Sequence, residues 1–266
     1  MSLSPYDARR ALGCLADCAG VLVEAWHRPR LLRHKGRIDL VTDTDLAIQE
    51  RLSRELAAVT PGVPIVGEEG ASSAGLPDCC WVIDPVDGTT NFVHGIPMVG
   101  VTAAYCEEGR PVFGMTTIPL CNETWWASRG LGAFLNGRPA RVSQAARLED
   151  AVVATGFPYN VDRTAPEIVA RLRGVLVRAQ GMRRMGAASV DLVYVASGRM
   201  DAYYEGNLKP WDYMAGWLIV EEAGGTVSDD QGRPYEPGAV IVADNGLVHE
   251  ELLDAMHAGD ALLNRS

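Results

Sequence analysis

The chain has 266 residues, with 24 Lys+Arg against 34 Asp+Glu and a formal net charge of −10. That balance argues against nonspecific binding to nucleic acid or to an anionic membrane, both of which need a basic face. The length suits one large domain or two small ones, and 47% hydrophobic residues supply a sizeable core without staples.

Ser4-Pro5 with Asp7 opens a helix that has proline at its first position. Ala8, Leu12, Leu15, Ala19, Leu22 and Trp26 recur at alternating steps of 4 and 3, which marks one helix face, and Pro29 stops it. Arg28 to Arg37 is strongly basic within an acidic protein and reads as a loop. A second helix runs from Thr44 to Val59, with Ile48, Leu52, Leu56 and Val59 inward and Pro61-Gly62 ending it. Ile65-Val66, Trp81-Val82-Ile83, Val99–Tyr105, Val112–Ile118 and Thr124–Ala127 read as strands, with turns at Glu108-Gly109 and Asn136-Gly137. Strands in such succession predict an antiparallel sheet.

After residue 145 the pattern alternates. A strand at Val152–Ala154 precedes helices near Pro166–Arg178 and Ala187–Ala196. A strand at Ala202–Tyr204, a helix at Tyr213–Ala223, strands at Thr226–Ser228 and Val240–Ala243, and a last helix at Leu247–Leu263 follow. The reading is a layered α/β fold of the α+β kind, in two subdomains, 1–145 and 146–266, that share a long seam.

No apolar run reaches the roughly 18 residues of a membrane span. No secretory signal pattern opens the chain, so a cytoplasmic protein with no membrane or nucleic-acid partner is expected. Cys14, Cys18, Cys79, Cys80, Cys106 and Cys121 form no C-x-x-C pair and read as small buried hydrophobes in a reducing compartment. The five histidines contain no H-x-x-x-H, which speaks against a zinc site.

The acids are the informative part. In Trp81-Val82-Ile83-Asp84-Pro85-Val86-Asp87-Gly88-Thr89-Thr90-Asn91-Phe92 an apolar strand ends in one acid, and a second follows a proline-directed turn. Gly88-Thr89-Thr90 then offers backbone N–H groups at a helix start, which suits phosphate. One loop thus supplies cation ligands and an anion cradle, the combination that magnesium bridging carboxylates to a phosphate requires. Further acids lie in Val66-Gly67-Glu68-Glu69-Gly70, in Thr42-Asp43-Thr44-Asp45 and in Lys209-Pro210-Trp211-Asp212. Each also has a plainer reading on the residues alone: Asp-Pro and Asp-Gly form turns, Asp45 and Asp212 cap helices, and Glu68-Glu69 is a solvated loop.

The block W-V-I-D-P-V-D-G-T-T-N-F, the upstream G-E-E and the downstream P-W-D before a helix ending E-A-G-G resemble the inositol monophosphatase family, in family order from Leu40 to Asn245. The resemblance implies the αβαβα sandwich of the inositol monophosphatase and fructose-1,6-bisphosphatase type. It also implies a magnesium-dependent, lithium-sensitive phosphatase of the bacterial branch, working as a homodimer. Two or three Mg2+ ions are expected. Glu68, Asp84 and the Val86 carbonyl would hold the first, Asp84, Asp87 and Asp212 the second, and Glu68 a weaker third. Thr89 with Asp45 matches the pair that positions and deprotonates the attacking water, while the Gly88 and Thr89 N–H groups hold the phosphoryl oxygens.

On the same resemblance, Gly186, Ala188 and Glu205 line the substrate pocket with Asp87 and Asp212. Glu205 precedes Asp212 by seven residues and would accept a substrate hydroxyl. Ala187 stands where many relatives have Thr or Ser, which removes one hydroxyl contact. Lys35 matches a lysine on a closing loop, and Glu69 is either an outer acid of the site or a surface residue. Thr90, His94 and Lys209–Asp212 favour inositol-1-phosphate, hydrolysed to inositol and phosphate, over histidinol phosphate. Fructose bisphosphate and other sugar phosphates are the remaining alternatives.

Overall fold

The computed structural model describes residues 3–28, 32–34, 40–70 and 75–263. Helix α1 (Pro5–Ala25) starts where the sequence places it, with Ser4 accepting a hydrogen bond from the Asp7 N–H at 3.1 Å. Its buried face is Ala11, Leu15, Cys18 and Leu22, with Ala8 and Leu12 only half-buried. The stripe is therefore rotated by about one position from the expected one, because Cys18 packs as a small hydrophobe beside the larger Leu side chains.

Part of the basic segment is not a loop: β1 (Leu32–His34) pairs antiparallel with β2 (Leu40–Thr42). Arg33 on β1 meets the Asp43 carboxylate at 3.4 Å. Pro29 and Lys35 lie outside the described residues. Helix α2 (Asp43–Val59) buries Ile48, Leu52, Leu56 and Val59, as the periodicity predicts.

Among the described residues, a seven-stranded sheet runs in chain order. It comprises β3 (Ile65–Gly67), β4 (Cys79–Asp87), β5 (Gly100–Glu107), β6 (Arg110–Ile118), β7 (Glu123–Ser128), β8 (Gly132–Leu135) and β9 (Arg138–Pro139). Only β3 pairs in parallel with its neighbour; the others are antiparallel, as the sequence predicts, although a short helix intervenes between β4 and β5. Strands β8 and β9 escape the sequence reading because Gly132, Asn136 and Gly137 read as turn signals, and the hairpin between them is only a few residues long. The short helix α3 (Thr89–His94) follows β4.

A five-stranded sheet follows, in the order β11-β10-β12-β14-β13. Its strands are β10 (Val152–Thr155), β11 (Gly181–Arg183), β12 (Ala202–Glu205), β13 (Thr226–Asp229) and β14 (Ile241–Asp244), with helices α4 (Val161–Leu176), α5 (Ala188–Ala196), α6 (Pro210–Glu222) and α7 (His249–Leu263) between and after them. Helix α4 begins five residues before the expected Pro166, which sits inside it. The missing N–H of Pro166 forfeits one bond to the Asp162 carbonyl near an exposed helix end, while Ala170, Gly174 and Val175 beyond it are buried.

Alternating side chains build three cores. On β4, Trp81 and Ile83 face α1 and α2, whereas Cys80 and Val82 face α5 and α6. On β12, Tyr203 joins that middle core, whereas Ala202 and Tyr204 join an outer one with α7 and Val175 of α4. The layers are thus α1/α2, the seven-stranded sheet, α5/α6, the five-stranded sheet and α4/α7, which is the αβαβα sandwich. Helix α6 is buried at every position from Tyr213 to Val220, as a helix between two sheets must be.

Candidate active site

The sandwich gathers the acids at one cavity of about 290 Å³, lined by Glu68, Asp84, Val86, Asp87, Gly88 and Thr89 at one part and by Gly156, Phe157, Arg184, Gly186, Ala188, Glu205 and Asp212 at another. Residues 84 and 87 are an odd number apart, so in a regular strand they would point to opposite faces. A bulge corrects this. Asp84 pairs opposite Thr102 and Asp87 opposite Gly100, so three steps on β4 match two on β5. The extra residue restores the parity and turns both carboxylates to the cavity.

Each acid is then fixed. Asp84 Oδ1 accepts the Val86 N–H at 2.9 Å. Asp87 Oδ2 accepts from the first turn of α5, from the Ser189 N–H at 2.7 Å and the Ser189 hydroxyl at 2.5 Å. Asp212 Oδ2 accepts the Lys209 N–H at 2.7 Å, so it caps α6 and faces the cavity as well. Glu68 follows β3, and its N–H donates to the Ile83 carbonyl at 3.2 Å. Gly88, with φ of 89°, caps the start of α3.

Asp45 is fully buried and stands behind Thr89 rather than on the cavity wall. The Thr89 hydroxyl lies 3.0 Å from Asp45 Oδ1 and 3.0 Å from the Val86 carbonyl oxygen. The other Asp45 oxygen accepts the Thr42 N–H at 2.9 Å and the Thr42 hydroxyl, closing a capping box on α2. Both roles that the sequence left open for Asp45, cap and Thr89 partner, are occupied at once. Glu205 Oε2 accepts the Tyr203 hydroxyl at 2.5 Å. Gly156 faces it so closely that any Cβ there would collide with the carboxylate.

Crowding and burial act together on these groups. Burial lifts Asp84 well above the usual carboxylate range, and Glu68, Asp87 and Asp212 push the same way. Burial likewise lifts Asp212, with Asp87 the next cause. Asp87 is lifted by burial and held down by the Ser189 donors. Burial raises Asp45 too, against the Thr42 and Thr89 bonds. Burial carries Glu205 to about 7, with Tyr203 acting in the opposite sense. Acids that suppress one another's ionisation are relieved by cations.

The donor set fits a hard divalent cation. Glu68, Asp84, Asp87 and Asp212 with the Val86 carbonyl offer only oxygen, which suits Mg2+ and not the softer metals that choose thiolate or imidazole. Among the described residues no group of three or more acids, His or Cys is set tightly enough to hold an ion. The acids instead ring open space, and magnesium characteristically keeps several waters and substrate oxygens in its shell.

Several contributors were not read from the sequence. Ser189, Gln49, Tyr203, Gly156, Arg184 and Phe157 act on or beside the acids, and the Arg184 guanidinium lies 5.6 Å from the Phe157 ring centroid. Ser189 in the first turn of a helix was the one visible signal. Glu69 does not line the cavity; its backbone is bonded to Gln49.

The inositol monophosphatase family model matches residues 9–260. The chain is 38% identical to an inositol-1-monophosphatase of Caulobacter vibrioides, over 94% of this chain and 98% of that one. It is 43% identical to a protein named Nus factor SuhB of Pseudomonas aeruginosa, over 84% of each. The crystal structure of extragenic suppressor protein suhB from Bartonella henselae superposes with a TM-score of 0.87 at 36% identity, covering 92% of this chain and 96% of that one. The chain belongs to the inositol monophosphatase family, a family of metal-dependent phosphatases.

Proposed function

We propose that the chain hydrolyses inositol-1-phosphate to inositol and phosphate with two or three Mg2+ ions. The observation that carries this is the meeting, in one cavity, of the four oxygen-donor acids, Glu205 and Thr89, with Asp45 bonded to the Thr89 hydroxyl from behind the wall. Glu68, Asp84 and the Val86 carbonyl would hold one ion, Asp84, Asp87 and Asp212 a second, and Glu68 a third. Bound magnesium would neutralise the phosphate and make a water more acidic near neutral pH.

The remaining work falls to the protein. The Thr89 hydroxyl orients the attacking water and passes its proton to Asp45 Oδ1, 3.0 Å away. The burial that raises Asp45 makes it a better base than a surface aspartate. The Gly88 and Thr89 N–H groups receive phosphoryl oxygens, which accumulate charge as the ester bond breaks. Glu205 accepts a hydroxyl of the leaving group, with the Gly186 and Ala188 backbone beside it.

The reading extends to lithium sensitivity, since lithium shares magnesium's preference for hard oxygen. It also takes in a cytoplasmic homodimer and two subdomains, 1–145 and 146–266, a division supported by the separate sheets on either side of it. A released-phosphate panel with added Mg2+ tests the substrate. Inositol-1-phosphate should give the highest kcat/KM. A higher value for histidinol phosphate or fructose-1,6-bisphosphate would replace the substrate, and no magnesium-dependent release from any ester would overturn the activity.

A further inference from the structure

We propose that Gln49 is a positioning residue for the metal-facing loop: its side-chain amide clips the Glu69 backbone and so sets Glu68 toward the cavity. The inference rests on the proposed reading of Glu68 as a metal ligand. Gln49 lies on α2 one turn after Asp45, so the two project from one face of the helix. Gln49 Nε2 donates to the Glu69 carbonyl at 2.6 Å, and the Glu69 N–H donates to Gln49 Oε1 at 2.9 Å. One planar amide thus satisfies both backbone groups of one residue, as a neighbouring strand would.

The loop is shaped to receive it. A Cβ on Gly67 would stand 2.5 Å from Gln49 Oε1 and 2.7 Å from its Cδ, so only glycine lets the amide lie against the chain. Glu68 is therefore held on both sides, by its own N–H on Ile83 and by the clip on Glu69. Helix α2 pins two segments on the same part of the site, through Asp45 to Thr89 and through Gln49 to the glutamate loop. An amide suits the place because it carries a donor and an acceptor without adding charge to a region already rich in acids. Without the clip, the loop would have to be ordered when the ion binds, and that ordering entropy would be lost from the affinity.

Calorimetric titration with Mg2+ and with Mn2+ tests this on the wild type, Gln49→Leu, Gln49→Glu and Gly67→Ala. Gln49→Leu should bind either ion roughly 10–100-fold more weakly, the range for losing an outer partner of a metal site. Gly67→Ala should reproduce that loss with Gln49 intact, because it displaces the amide. Gln49→Glu keeps the acceptor for the Glu69 N–H but no donor, and should fall between. The Glu69 amide should exchange hydrogen faster in Gln49→Leu and Gly67→Ala, which lose its acceptor, and excess metal should recover most of the phosphatase rate. If Gln49→Leu does not fold, Gly67→Ala and Gln49→Glu decide. Wild-type metal affinity in the variants, with or without a lower Tm, overturns the positioning role. A wild type that binds neither ion overturns the metal reading itself.

Discussion

Replacing Glu205 by Gln should make the metal-free protein more stable and less discriminating at once. Burial raises the Glu205 carboxyl from 4.5 to about 7. The folded state therefore holds this proton more tightly than the unfolded chain does. Below about 4.5 both states carry it and there is no cost. As pH rises through the interval the unfolded chain ionises first and stability falls, and above about 7 the full penalty is present. The interval corresponds to about 3 kcal/mol. Glutamine keeps an oxygen for the Tyr203 hydroxyl and carries no charge. For a chain of this size 1 kcal/mol moves Tm by about 2–4 °C, so Glu205→Gln should gain roughly 6–12 °C at pH 8 with a chelator present. Most of that gain should vanish at pH 5. The same variant should raise KM for inositol-1-phosphate while leaving para-nitrophenyl phosphate nearly unaffected, since only the former offers the hydroxyl. Thermal scans at the two pH values measure the first part. Equal Tm at pH 8, or a gain that persists at pH 5, would refute the buried-charge argument.

Thr89→Ala should lower kcat roughly 10²–10⁴-fold with little change in KM, because it breaks the proton path to Asp45; a KM effect alone would make Thr89 a phosphate contact only. Ser189→Ala removes a charge-assisted bond to Asp87 of about 1.5–3 kcal/mol, so the magnesium concentration for half activity should rise about 10–150-fold. The rise should be larger at pH 6 than at pH 8, since Asp87 must lose its proton to bind metal, and a shift independent of pH would contradict it. Asp212→Asn should weaken magnesium activation and lithium inhibition together in steady-state kinetics; unchanged lithium sensitivity would put lithium elsewhere.

Most elements were legible because their signals are local, whereas the five-layer order followed only from the family resemblance. The 4-and-3 spacing on α2 and the apolar runs of β4 to β7 belong to single segments, and the acids of the site sit in short blocks at strand and helix ends. What escaped depends on distant partners. The clamp of Ser189 on Asp87 joins residues 102 apart, and the clip of Gln49 on Glu69 joins residues 20 apart. Gln49 is not unusual in its own segment, and Ser189 shows only as a hydroxyl residue in the first turn of a helix, with nothing to name Asp87 as its partner. The bulge that turns Asp84 and Asp87 to one side is a property of pairing with β5, invisible in β4 alone. Short pieces failed for another reason: β1, β9 and β11 hold two or three residues each, below the length at which alternation can be counted.

The central claim is that acids converging on Asp84 hold the cation that makes phosphate release possible. It is tested most directly by inorganic phosphate release from inositol-1-phosphate against Mg2+ concentration, for the wild type and Asp84→Asn. The wild type should be inactive with chelator and saturate with added Mg2+. Asp84→Asn should stay below about a tenth of the wild-type rate at any Mg2+ concentration, with its circular dichroism unchanged, as expected when several kcal/mol of metal-derived stabilisation are lost. Wild-type turnover in the chelated enzyme, or near-normal turnover in the folded Asp84→Asn variant, would contradict the account.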